Sequence, residues 1–242
     1  MPPATPSPPL PAGSPPALPG GASTLPSETR EVELPSGHAT LTHWSASDLL
    51  LTHARWRVTQ PTPIPWPAPA AVVLLHVSLR GRTLIAHPHL PEPLSLAAHQ
   101  HALLYCPQAD ARFHLDGLDA EAFTVQLPSA HFLSLAATLP EPLRAFAARV
   151  RAGQCAVLGP ASLPLPMHHV IREVLACRLA SSLQPLFLQA KAVELLALQA
   201  HAFIQQPAPP LRLSEYDRER IRFARDYLLQ HAHLPPTLSE LA

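Results

Sequence analysis

The sequence predicts an α+β fold, with a first half of short strands closed into a barrel or sandwich and a helical second half. Two observations carry this. Residues 31–128 break into short apolar runs divided by proline and glycine, and several of them alternate, which is the pattern of many short strands. From Ser129 onward the apolar period changes to that of a helix. A third observation bounds both. At 47% apolar the 242 residues can build a real core, while 32 prolines keep much of the chain out of regular helix and central strand.

Taken in order, residues 1–30 hold ten prolines by position 26 among Gly, Ser, Thr and Ala, and are expected to be a disordered arm. Strands are expected at 32–34, 39–43, 55–59, 71–80, 82–86, 94–105, 112–115 and 121–127. Trp56 and Val58 share one face of their strand, and Phe123, Val125 and Leu127 share one face of theirs. Residues 78–82 read as a hairpin turn. Ser129 is placed to cap a short helix reaching Leu139. Pro142 opens the next helix and Gly153 stops it. A helix at 167–181 follows, and then the longest one, 186–205, with an apolar stripe at Ala190, Val193, Ala197, Ala200 and Ile204. The organisation expected is thus a Pro-rich arm (1–30), a β-rich sensor (31–128), a helical and pairing region (129–206), a Pro-containing linker (207–216) and a final helical piece (217–242).

Composition narrows the function. Seventeen acidic residues balance seventeen basic ones, which removes a general attraction to nucleic acid or anionic membrane but not a local DNA-binding module. No apolar run is long enough for a transmembrane helix and no leader-like start appears, so a cytoplasmic protein is expected. Cys106, Cys155 and Cys177 are far apart, odd in number and without a CxxC, and read as buried thiols in a reducing compartment. There is no GxSxG, P-loop, GxGxxG or HExxH, and nothing calls for an enzyme or a cofactor.

The C-terminus is the informative part. Thr237-Leu238-Ser239-Glu240 is a capping box after Pro235-Pro236, and it opens a helix whose first core contacts are Leu238 and Leu241. Preceded by Ala224-Arg225-Asp226-Tyr227-Leu228, this order resembles the start of the DNA-binding domain of AraC-family transcription regulators. There, a brace helix is followed by a capped Leu-x-x-Leu-Ala helix, the first of a helix-turn-helix, and a third enters the major groove. Residues 188–199, with Lys191-Ala192-Val193-Glu194-Leu195-Leu196-Ala197-Leu198, look like the segment before that domain in the ferri-siderophore, pyochelin-type regulators of the family. The resemblance implies a cupin-like sensor barrel in the β half, a small-molecule effector, a homodimer and DNA as the partner of the full-length regulator. Thr237 and Ser239 mark the helix-turn-helix start. The recognition helix is not in this sequence, so truncation inside the first helix-turn-helix is expected. Residues 212–242 balance five arginines against five acids, so this chain is expected not to bind DNA by itself.

For the effector, the candidate residues are Trp56, His76, Arg80, His99 and His101. Trp56 offers a stacking face and an N–H donor. His76 and Arg80 are four apart on one strand, and His99 and His101 two apart on another, so each pair shares a side. If these sides meet in one cavity, it suits an anionic, aromatic or metal-chelate ligand. The alternative is that His76 and Arg80 face water while Val73, Leu75, Val77 and Leu79 make the core. His99-x-His101 is the best metal candidate among fifteen histidines, but the glutamate that follows such a pair in cupin metal sites is missing, and no metal is expected. Two other readings stand beside the regulator: a stand-alone cupin-like binding module and a small cupin-like enzyme.

Overall fold

The computed structural model describes residues 27–64, 71–90, 92–107, 112–115, 118–136, 141, 143–205 and 220. Residues 1–26 of the proline-rich arm, Pro142, the linker and, Arg220 apart, the helical piece at 217–242 with Thr237 and Ser239 lie outside them, whereas residues 27–30, expected to be disordered with the arm, begin a strand. The chain divides into two units after Gln205. In the first, the strands are β1 (Ser27–Leu34), β2 (Gly37–Ala46), β3 (Leu49–Val58), β4 (Thr62–Ile64), β5 (Val72–Arg80), β6 (Thr83–Ala86), β7 (Leu94–Leu96), β8 (Gln100–Cys106), β9 (Arg112–Leu115), β10 (Asp119–Pro128) and β11 (Ala156–Ser162). The helices are α1 (Ser129–Ala136), α2 (Leu143–Arg151), α3 (Leu165–Leu175) and α4 (Gln184–Ile204).

The fold is α+β. A seven-stranded sheet, ordered β1-β2-β3-β10-β5-β8-β11, faces a four-stranded sheet, β4-β9-β6-β7, and the pairings are antiparallel. The middle of the large sheet is buried on both sides. Val73, Leu75 and Val77 of β5 join Leu103, Phe123, Val125 and Leu127 beneath the helices, while Leu74 joins Leu104, Phe113, Leu115 and Trp56 between the sheets. Burial on two faces is why β5 reads as a continuous apolar run rather than an alternating one.

Several expectations are corrected. Residues 78–82 do not form a hairpin, because β5 and β6 belong to different sheets. Gly81 (φ +75°) passes the chain between them so closely that a Cβ would stand 2.6 Å from the Asp119 carbonyl. Gly81→Ala is therefore expected to cost at least about 1–2 kcal/mol, from the left-handed backbone alone, and to lower the urea midpoint accordingly. The expected strand 94–105 is two strands parted by a turn, where His99 has φ +59°. β4 and β11 lie outside the expected strands, since Pro63 and Gly159-Pro160 read as breakers. Gly153 does end α2. Its N–H donates to the Val150 carbonyl at 3.0 Å and that of Gln154 to Arg149 at 2.9 Å, a Schellman cap. α3 ends at Leu175, short of the expected 181, and Cys177 N–H closes its last turn on the Val174 carbonyl at 3.2 Å. Of the three thiols, Cys155 is buried while Cys106 and Cys177 are half-buried.

The stripe on α4 is also corrected. The face packed on the sheet is Leu188, Ala192, Leu195, Leu196, Gln199, Ala200 and Phe203. Val193 and Ile204 are 40% and 50% exposed, because the larger leucines and Phe203 outweigh the alanines in choosing the inner face.

Candidate functional site

One cleft in the first unit gathers charge. Its volume is about 340 Å³, and it opens where α3 crosses the end of β5 and the turn before β8. From α3 come His168, Ile171, Arg172 and Leu175, spaced i, i+3, i+4 and i+7 so that one helical face supplies them all. Leu79 and Arg80 come from the end of β5, Ala98 and His99 from the turn, and Glu121 from β10. Ile171, Leu175 and Leu79 give the cleft an apolar part, with two guanidiniums and two imidazoles beside it.

The polar groups are arranged in pairs. His99 Nδ1 and His168 Nε2 lie 3.2 Å apart, so one ring donates and the other accepts. Burial, followed by the neighbouring His99, Arg172 and His169, pushes His168 below the ordinary histidine pKa. At neutral pH its ring is therefore uncharged, and the fixed positive charge is that of Arg80 and Arg172. Glu121 accepts a hydrogen bond from His53 Nε2 at 2.7 Å, so the carboxylate lining the cleft is already engaged. The arrangement suits an anion with an apolar body.

Of the residues singled out in the sequence, the structure brings Arg80 and His99 together in this cleft. His101 lies on the same side of the sheet but deeper, under α4. Gln199 Nε2 donates to its Nδ1 at 3.1 Å, and the Phe203 ring stands 5.1 Å away. Burial pushes His101 down to about 4, against a hydrogen bond with the Ser162 backbone that acts the other way. Trp56 and His76 are on the opposite face, between the sheets. Trp56 stands in register with Ala39 on one side and Ala120 on the other. His76 is 1% exposed, 5.9 Å from the Phe113 ring, with no hydrogen-bond partner for either nitrogen, and burial pushes it down to about 4. The five therefore do not converge on one cavity. The alternative reading holds for Val73, Leu75 and Val77, which are core, for Leu79, which packs against it, and for Arg80, which is exposed, but not for His76, which is buried rather than in water.

The sequence does not single out His168, Arg172 and Glu121. The spacing of His168 and Arg172 on one helical face is visible in it, but which wall of the protein that face meets is set by how α3 docks.

Comparison with known proteins follows from this architecture. The AraC-like transcriptional activator CuxR is similar at 12% identity and a TM-score of 0.45, over 89% of this chain and 74% of that one. A single-residue variant of apo ToxT from Vibrio cholerae strain SCE256 is similar at 9% identity and a TM-score of 0.43, over 74% of this chain and 65% of that one. A cupin superfamily protein from Desulfitobacterium hafniense aligns over 40% of this chain and 84% of its own, at 10% identity and a TM-score of 0.31. No curated protein matches the sequence. A family model described as the regulatory protein PchR N-terminal domain matches residues 36–213, well over half of the chain and the whole region that carries the cleft. The chain belongs to the family of the N-terminal domain of the regulatory protein PchR.

Proposed function

We propose that this chain is the effector-sensing part of an AraC-type transcription regulator, and that the effector is a small anion held in the cleft between α3 and the β5 end. The observation that carries this reading is the pairing of Arg80 and Arg172 with His99 and His168 beside an apolar surface, with Glu121 occupied by His53. Guanidiniums offer paired donors to carboxylate, phenolate or hydroxamate oxygens, and the apolar part covers the body of the ligand. A ferri-siderophore combines both features, and is the effector class proposed. No catalytic step is assigned to the cleft.

The signal has a route. A ligand bridging α3 and the sheet biases the position of α3, which packs on α4 and is tied to it by the Glu173–Lys191 ion pair. The outer face of α4 presents Leu186, Ala190, Val193 and Ala197 at four-three spacing, with Ile204 beyond the inward-facing Ala200, and it is here that a second copy of the chain would pair. DNA contact belongs to the helix-turn-helix of the full-length regulator, of which residues 217–242 carry only the start, at Thr237 and Ser239.

Titration calorimetry with iron-loaded and iron-free siderophores, an aromatic acid and a neutral sugar tests the reading. Saturable binding of the ferric chelate that weakens as salt rises is expected. Binding of the aromatic acid alone would keep an anion sensor and discard the siderophore. Binding of the sugar alone would discard both. Sedimentation of Val193→Glu tests the pairing face, and the variant is expected to be monomeric at concentrations where the parent chain is a dimer.

A further inference from the structure

We propose that His87, Cys106 and Cys155 form a three-donor site for a thiophilic cation of the zinc class, separate from the cleft and independent of the effector reading. The three residues come from different elements. His87 follows β6 in the small sheet, Cys106 ends β8, and Cys155 immediately precedes β11 at the edge of the large sheet. The register that pairs Tyr105 with Ala156 sets the two cysteines opposite one another across the antiparallel pair. One ligand atom from each residue lies within 4.8 Å of the other two, and His87 Nδ1 is 3.4 Å from Cys155 Sγ.

The chemistry fits the geometry. Zinc bonds of about 2.3 Å to sulfur and 2.0 Å to nitrogen, at tetrahedral angles, place donors roughly 3.5 Å apart. The His87–Cys155 pair already has that separation, so closing the site needs a contraction of little more than about an ångström at Cys106. His87 is buried, and its Nδ1 accepts from the His89 backbone N–H at 3.1 Å, which places the ring proton on Nε2. The Nδ1 lone pair is thus unprotonated, and an ion bound there replaces the two contacts it now makes, with Cys155 and with the His89 N–H. Nε2 is buried without a partner. A pair of sulfurs and an imidazole is a donor set that selects borderline and soft ions over calcium or magnesium.

Two cysteines facing each other are also the makings of a disulfide, and the surroundings weigh against it. A disulfide makes no use of the imidazole lodged against them. A cation displaces the proton from each thiol as the metal–sulfur bonds form. With three protein donors, the fourth position is left to water. The ion would tie the end of β6 to the β8–β11 edge and so fasten one sheet to the other.

The test uses the reduced, chelator-stripped full chain. Titration with zinc against a chromophoric competitor is expected to give one ion per chain with release of two protons. Cobalt(II) is expected to give sulfur-to-metal charge transfer in the near ultraviolet and the intense visible bands of a tetrahedral ion. Tm should rise with zinc concentration. Cys106→Ser, Cys155→Ser and His87→Ala should each weaken binding by at least about a hundredfold, beyond the loss usual for outer-sphere partners. Cys177→Ser and Arg80→Ala should leave it unchanged. If a variant fails to fold, the cobalt spectrum and proton count of the unmodified chain still decide. Absence of charge transfer there would overturn the site. So would zinc binding that survives in the double cysteine variant, or a Cys106–Cys155 disulfide that forms in glutathione buffer of cytosolic poise and excludes the ion.

Discussion

Between pH 7 and pH 5 the chain is expected to lose roughly 4 kcal/mol of folding stability, about 2 kcal/mol from each of His76 and His101. Both are held near 4 in the folded chain, against an ordinary value of 6.5, because burial disfavours the charged ring. The direction follows from proton uptake. As pH falls below 6.5 the unfolded chain protonates these rings while the folded chain does not, so protons pull the equilibrium toward unfolding. Stability is full above 6.5, drains as pH falls toward 4, and levels below that. His43 and His168 are shifted the same way by burial and add to the slope. Urea midpoints at pH 7, 6 and 5 measure it, and midpoints that do not move would sink the argument. His76→Leu should remove about half of the slope. It should cost little at pH 7, since neither ring nitrogen has a partner to lose.

His76 also shows how far the strand rules carry a sequence reading. A spacing of four places His76 and Arg80 on one face, and would do so on an uninterrupted strand. The register instead pairs Ser78 with Ala122 and Arg80 with Glu121, so Leu79 is an extra residue in β5 and the side-chain parity flips after it. His76 stays between the sheets and Arg80 goes to the cleft under α3. A bulge of this kind has no marker in the sequence, because it shows only in the pairing of β5 with β10. The edges of the fold escape the sequence for a related reason. β11 contains Gly159-Pro160, and only its pairing with β8 makes it a strand.

What is legible comes from periodicity and turn chemistry. The strand β9 at 112–115, half of β2 and most or all of β5, β6 and β10 follow from short runs between breakers, and the α2 stop follows from Gly153. On α4 the period is right and the phase is wrong. The helix is apolar on two faces, and the stripe read from the sequence at Ala190, Val193, Ala197, Ala200 and Ile204 is, Ala200 apart, the outer one. Periodicity alone cannot rank two apolar faces, whereas burial does so through the larger side chains at 188, 195, 196 and 203. Cys106 and Cys155 read as unrelated thiols because they are far apart in the chain, and only the β8–β11 register makes them neighbours.

Removing both guanidiniums of the cleft is expected to weaken binding of an anionic ligand by more than about a hundredfold, with Arg80→Ala and Arg172→Ala each costing roughly 1.5–3 kcal/mol as charged hydrogen-bond donors. The size of the effect follows from the charge distribution. With His168 held neutral by burial and Glu121 engaged by His53, the arginines supply the fixed positive charge at neutral pH. Neither guanidinium has an ion-pair partner among the described residues, so truncation strands no buried carboxylate and the fold should survive. Arg80→Lys keeps the charge but loses the fork, and should fall between the parent chain and Arg80→Ala. His76→Leu, on the other face of the sheet, should leave affinity as it was. Calorimetry on these variants with one anionic ligand, at two salt concentrations, separates charge from packing. Loss of salt dependence together with loss of affinity is the expected pair. Affinity untouched in the double alanine variant would move the effector out of the cleft, and the space between the sheets around His76 and Trp56 would then be the place to look.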